Sequence, residues 1–224
     1  MFDRHFINFI KNKGIMSKSN SPIIIQPPNI AVVQFNVRGT SPLISHRWSE
    51  KAKQMMLDKQ MKKAVKPHTA KNPQKDFEES LYLLSNGKHP KGPYGFPAVG
   101  FKAAAVRAAK SLPTMTMTDA RSMFYVVPDD GDLVKIIGDP PVMREDMVKI
   151  SQSTDIRYRG EFKKWSVVLT VKYNADVISP EQLLNLFELA GFCCGVGEWR
   201  MERGGTNGTF TLLEVNKELL AKAA

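Results

Sequence analysis

Cysteine is nearly absent from this chain. There are two in 224 residues, Cys193 and Cys194, and they are neighbours. Adjacent thiols cannot join distant segments, so a disulfide-stapled scaffold is excluded and a reducing, cytoplasmic compartment is expected. Long hydrophobic runs are missing too. No stretch approaches the ~18 apolar residues of a membrane span, so no membrane is expected among the partners. Histidine is scarce, with four in all. No His/Cys set has metal-ligand spacing, and the paired cysteines read as small core residues. No Gly-Lys-Ser/Thr closes a phosphate loop, and no internal repeat is visible. No metal or cofactor is expected.

What the chain has in excess is positive charge: 32 Lys and Arg against 22 Asp and Glu, formally +10. That surplus says nothing of fold but predicts attraction to polyanions. Residues 45–75 concentrate it, with nine Lys/Arg against Glu50 and Asp58. This stretch ends in KPHTAKNPQKD, which has two prolines and no periodicity, and reads as a mobile basic loop. Residues 1–15, MFDRHFINFIKNKGI, lack the apolar run and cleavage site of a secretory signal. Met16 resembles a second start, so they read as a dispensable extension rather than a short amphipathic anchor.

A hydrophobic share of 42% is enough for a sizeable core. Residues 31–38 alternate, with Val33, Phe35 and Val37 on one face, which predicts a half-buried strand. A helix is expected over about 47–65, its apolar side (Met55, Met56, Leu57, Met61) weak. Residues 77–84 read as a short helix or strand, NGKHPKGPYGFP as turns, and 99–111 as an alanine-rich helix open to a close neighbour. Strands are expected at 122–127, 132–137 and 141–149. Alternation returns at 165–173. Ser179, Pro180 and Gln182 then form a helix start with a capping box, Leu183, Leu184, Leu186, Phe187 and Ala190 give a buried stripe, and Gly191 is read as the stop. Strand-like segments near 195–201 and 208–215 flank a Gly-rich loop. Together these predict an α+β sheet with helices on one face.

Three segments carry candidate chemistry. In GVGEWRMERGGTNGTF, Gly195, Gly197, Gly204, Gly205 and Gly208 free backbone N–H groups to cradle a phosphate. Arg200 and Arg203 add charge there and Trp199 a stacking face; the competing reading is a hairpin with a surface Arg pair. In FPAVGFKAAAVRAAK, Lys102 and Arg107 lie five apart, so on a helix they point about 140° away from each other. In DIRYRGEFKKW, Arg157, Arg159, Lys163 and Lys164 are interleaved with Tyr158, Phe162 and Trp165, a pattern suited to single strands. Trp165 fits a strand core better; Tyr158 and Phe162 stay open. His46, beside Arg47, is the one histidine in a plausible site position, although a lone histidine usually packs or sits on the surface.

In order along the chain, these features resemble the RAMP superfamily of RNA-binding proteins in CRISPR systems. The segment NVRGTSPLI (36–44) is similar to their first strand and turn. Pro97, Phe101, Lys102 and Arg107 are similar to their helix start, with Arg107 one place late. Gly195 to Gly208 is similar to their C-terminal Gly-rich loop, though Thr206 and Asn207 interrupt it. The resemblance is closest to the backbone subunits that polymerise along guide RNA, and it implies a ferredoxin-like, RRM-like core with inserted basic loops. The first turn lacks the aspartate of target-cutting subunits. Small proteins of this style are also familiar from phage genomes.

The expected domain plan is an irregular extension over 1–29, one ferredoxin-type domain over 30–216 with insertions near 45–75 and 112–160, and a tail over 217–224. The expected nucleic-acid-binding residues are His46, Arg47, Lys102, Arg107, Arg157, Tyr158, Arg159, Lys163, Lys164, Trp199, Arg200, Arg203, Gly204 and Gly205, with none catalytic. The expected function is non-catalytic binding of single-stranded RNA or DNA by a homo-oligomer that grows along its ligand. Two alternatives stand beside it. One is a metal-independent guide-RNA-processing endoribonuclease using His46; the other is an inhibitor that mimics or blocks a nucleic-acid-binding partner.

Overall fold

The structure is a computed structural model that describes residues 26–63, 70–150 and 153–213; the expectations for residues 1–25 and 214–224 fall outside it. Its centre is built by the two alternating segments. Strand β1 (Ile30–Gly39) buries Val33, Phe35 and Val37. Strand β10 (Trp165–Asn174), so numbered by its place in the chain, buries every second residue from Trp165 to Tyr173. The two pair antiparallel with Phe35 opposite Leu169 and Val37 opposite Val167, so their apolar sets share one face. The register leaves Val32 and Val168 exposed on the other face.

Two strands flank this pair: β5 (Phe124–Val127) beside β10, and β11 (Phe210–Leu212) beside β1. Helix α3 (Ala98–Ala108) lies between β1 and β5 in the chain, and α5 (Pro180–Cys193) between β10 and β11. The order β11-β1-β10-β5 is therefore two interleaved strand–helix–strand units, which is the ferredoxin-like arrangement. Both helices cover the apolar face. Phe187 of α5 packs edge-on to Phe35 at 4.9 Å and to Phe124 at 5.5 Å, and Phe101 of α3 meets Phe210 at 5.9 Å. The alanines at 104, 105, 108 and 109 are all buried, as their small size predicts for a close neighbour.

Two smaller sheets lie outside this one. One is β2 (Leu43–Ser45), β9 (Ser153–Phe162) and β8 (Val142–Ile150); the other is β3 (Tyr82–Lys88), β4 (Gly92–Pro97) and β6 (Leu133–Lys135). The short β7 (Ile137–Gly138) pairs with the start of β10. Helices α1 (Glu50–Gln60), α2 (Pro73–Glu79) and α4 (Met117–Met123) complete the described elements. No membrane-length apolar helix occurs among them.

Several expectations need correction. The segment read as turns is the β3–β4 hairpin, whose close backbone approach falls at Gly87, where a Cβ would stand 2.6 Å from the Pro93 carbonyl oxygen. Part of the basic loop is α2, started by Asn72 as N-cap and Pro73; residues 64–69 lie outside the described set. The helix expected over 47–65 is only α1, which buries nothing, in keeping with its weak apolar side. No strand spans 195–201; a single bridge joins Arg200 to Asn207 across a one-turn helix at Met201–Arg203.

The capping box of Ser179 and Gln182 forms as expected, but Gly191 does not stop α5. It lies inside the helix, where a Cβ would collide with the Phe210 carbonyl; the helix ends at Cys193, with Cys194 as its cap and Gly195 following at φ +69°. Helix propensity alone makes Gly191→Ala stabilising by about 1 kcal/mol. The backbone collision outweighs that gain, because neither the helix nor β11 can retreat without unpacking. Gly191→Ala therefore lowers Tm in a thermal melt; an unchanged or higher Tm would show that β11 yields freely.

Candidate nucleic-acid interface

Strand β2 is three residues long and wholly buried. The Ser45 hydroxyl donates to the Ser80 carbonyl (2.9 Å), and so does the Arg47 amide (2.8 Å). His46 is thus clamped between two anchored neighbours. The glycine-rich segment reaches the same strand: the Glu198 amide donates to the Ile44 carbonyl at 3.0 Å. Gly197 makes this approach possible. Its φ is +81°, and a Cβ would stand 2.6 Å from the Ile44 carbonyl oxygen.

The crossing sets Glu198 against His46, with Oε1 3.5 Å from Nδ1. On the other side of the ring, Arg157 Nη1 lies 3.5 Å from Nε2. The hydrogen bond from His46, aided by the pull of His46, Arg159 and Arg200, holds the Glu198 carboxyl below its usual range despite partial burial. Behind Glu198 runs an ion-pair chain centred on the buried Arg159 and Asp146. Arg159, its side chain 4% exposed, sits 3.3 Å from Asp146 and 4.0 Å from Glu198. Arg144 bonds Asp146 at 2.8 Å and Glu161 at 2.9 Å.

Two clefts meet at His46. The larger, about 510 Å³, runs between the start of α1 and β9, lined by Arg47, Trp48, Lys51, Lys71, Arg157 and Tyr158 with Asp76 and Asp155. Trp48 is half exposed beneath the Lys53 ammonium, and Lys71 reaches Asp155 and the Ile156 carbonyl. The smaller, about 260 Å³, lies between α3 and the glycine-rich segment. In it Glu202 binds Arg107 (2.8 Å) and Arg200 (3.1 Å) together.

The fourteen residues expected from sequence are therefore scattered. His46, Arg47, Arg157 and Tyr158 gather at the larger cleft, and Arg107 and Arg200 at the smaller. Lys102 points elsewhere, its ammonium 6.0 Å from the Phe124 ring centre, in keeping with its separation from Arg107 of about 140° around the helix. Lys163 and Lys164 sit exposed in the β9–β10 turn, and Arg203 and Gly204 are exposed beyond both linings. Trp199 is exposed with φ +54°, and Gly205 is pressed on its carbonyl. A single channel through Lys102, Arg159 and Arg200 does not form: Lys102 faces another way and Arg159 is buried in ion pairs.

Sequence reasoning missed Trp48, Lys71, Tyr82, Glu198 and Glu202. The two glutamates were in plain view, alternating with the cations of GEWRMERGG, and their pairing role was the available signal. Cys193 and Cys194 keep their sulfurs 3.5 Å apart, and burial pushes the Cys194 thiol up to about 12. No cluster of three or more His, Cys, Asp or Glu is poised for a metal among the described residues.

Because pairing depresses the Glu198 carboxyl, its stabilising contribution is in place above the usual value of 4.5 and is lost as pH falls below it. In urea unfolding, wild type and Glu198→Gln should differ above that pH and converge in more acid solution. A gap of equal size at both pH values would exclude the carboxyl as its source.

Comparison with known proteins adds little. No family model matches the chain, and no curated protein matches it. Among solved structures, the crystal structure of Cmr6 from Pyrococcus furiosus is similar at a TM-score of 0.41 and 10% identity, over 82% of this chain and 99% of that one.

Proposed function

We propose that this chain is a RAMP-like protein that binds single-stranded nucleic acid without cutting it, and assembles side by side along the strand. The observation that carries this reading is the larger cleft, where Arg47, Lys51, Lys71 and Arg157 share walls with Trp48 and Tyr158. Cations along a groove displace the counterions of a phosphate backbone, and exposed aromatic faces stack on unpaired bases of any sequence. The open side of α1, which buries no residue of its own, leaves that wall free to follow a strand. In this reading the 45–75 and 112–160 insertions of the 30–216 domain supply the walls.

Labelled single-stranded RNA and DNA, titrated at several salt concentrations, test the proposal. Affinity falls as salt rises, and Arg157→Ala lowers the slope of log K against log salt by about one. Mass photometry shows growth into multimers only with a strand present. Binding that ignores salt, or that matches an uncharged control protein, overturns the reading.

His46 supports one second reading. A carboxylate at one ring nitrogen and a guanidinium near the other resemble an oriented general base beside an anion-stabilising group. Incubation with hairpin RNA in EDTA decides between them. The expected result is intact RNA; cleavage that His46→Ala abolishes would make the chain a nuclease.

A further inference from the structure

We infer that the smaller cleft holds one unstacked base of the bound strand, not a phosphate; the inference rests on the strand-binding reading above. Charge is the first argument. Arg107 and Arg200 invite assignment as phosphate clamps, yet both pair with the same carboxylate, Glu202, at 2.8 and 3.1 Å, and its side chain is only 20% exposed. Arg200 also donates to the Gly197 carbonyl at 3.2 Å. With Glu198 the walls present two carboxylates against two guanidinium groups and His46. A phosphate entering here meets two carboxylates against two guanidinium groups, whereas the larger cleft is lined by four cations and two carboxylates.

Size and surface are the second argument. The cleft measures about 260 Å³, below the ~300–1,000 Å³ of pockets that enclose a drug-sized ligand. It admits one ring system. Tyr82 and Phe96, packed edge to face at 6.3 Å, line it together with Ala103 of α3. Position is the third. His46 belongs to both clefts, so a strand whose phosphates follow Arg157 passes the mouth of the smaller one. A purine has the larger stacking face, which favours adenine over uracil in such a pocket.

Ala103 gives a clean test, because it is exposed on α3, lines the cleft and carries no charge. Ala103→Trp fills the space and leaves every ion pair intact. On an adenine homopolymer it weakens binding by about tenfold, the effect of one stacked base. The slope of affinity against salt stays at the wild-type value. An oligonucleotide of abasic residues binds wild type and variant equally, and wild type prefers the adenine to the uracil homopolymer. The last comparison needs no variant and stands even if Ala103→Trp folds poorly. Unchanged affinity of the folded variant, or a changed salt slope, overturns the base pocket while leaving the strand-binding reading in place. Wild type that binds no strand at any salt overturns both.

Discussion

One hydrogen bond organises the interface: the Glu198 amide to the Ile44 carbonyl. It is a long-range contact between the strand after β1 and the segment after α5. Gly197 permits it, because an L side chain at that left-handed position would strike the Ile44 carbonyl. Everything near His46 follows from it. The contact sets the Glu198 carboxylate beside the imidazole and near Arg159, and it closes the wall of the smaller cleft against α3. The ferredoxin-like sheet supplies the frame, since β1 and α5 present the two segments at one end of the sheet.

Much of the fold was legible because it is written in local periodicity. Val33, Phe35 and Val37, and the alternation from Trp165 to Tyr173, specify two strands with one buried face each. The Ser179–Gln182 box specifies where α5 begins. Where it ends was not legible. Gly191 and Gly195 are four residues apart and look alike in sequence; only the position of β11, a tertiary fact, shows that the first is needed for packing and the second for the turn.

The site was less legible for a related reason. Cations are visible in a sequence and their partners are not. Arg159 looked like a ligand-facing residue among aromatics, but the β8–β9 register sets Arg144 opposite it and brings Asp146 within 3.3 Å. That register depends on pairing between strands and leaves no trace in spacing. Lys102 and Arg107 were the opposite case, since helical geometry alone sends them to different neighbours.

Which cations remain available to a polyanion is then a question of burial. Breaking one partner from a buried pair costs about 3–5 kcal/mol, because the remaining charge has no water to return to. Arg159 and Asp146, 4% and 7% exposed, are in that regime and stay paired. Arg157 and Asp155 are 34% and 36% exposed at 3.5 Å, where a pair contributes at most about 1 kcal/mol. A phosphate that approaches Arg157 can displace Asp155 at small cost. The net charge of +10 is therefore a poor guide to binding. The cations that matter are those whose present partners are solvated enough to let them go, and Arg47 and Arg157 in the larger cleft are two whose partners are the more exposed.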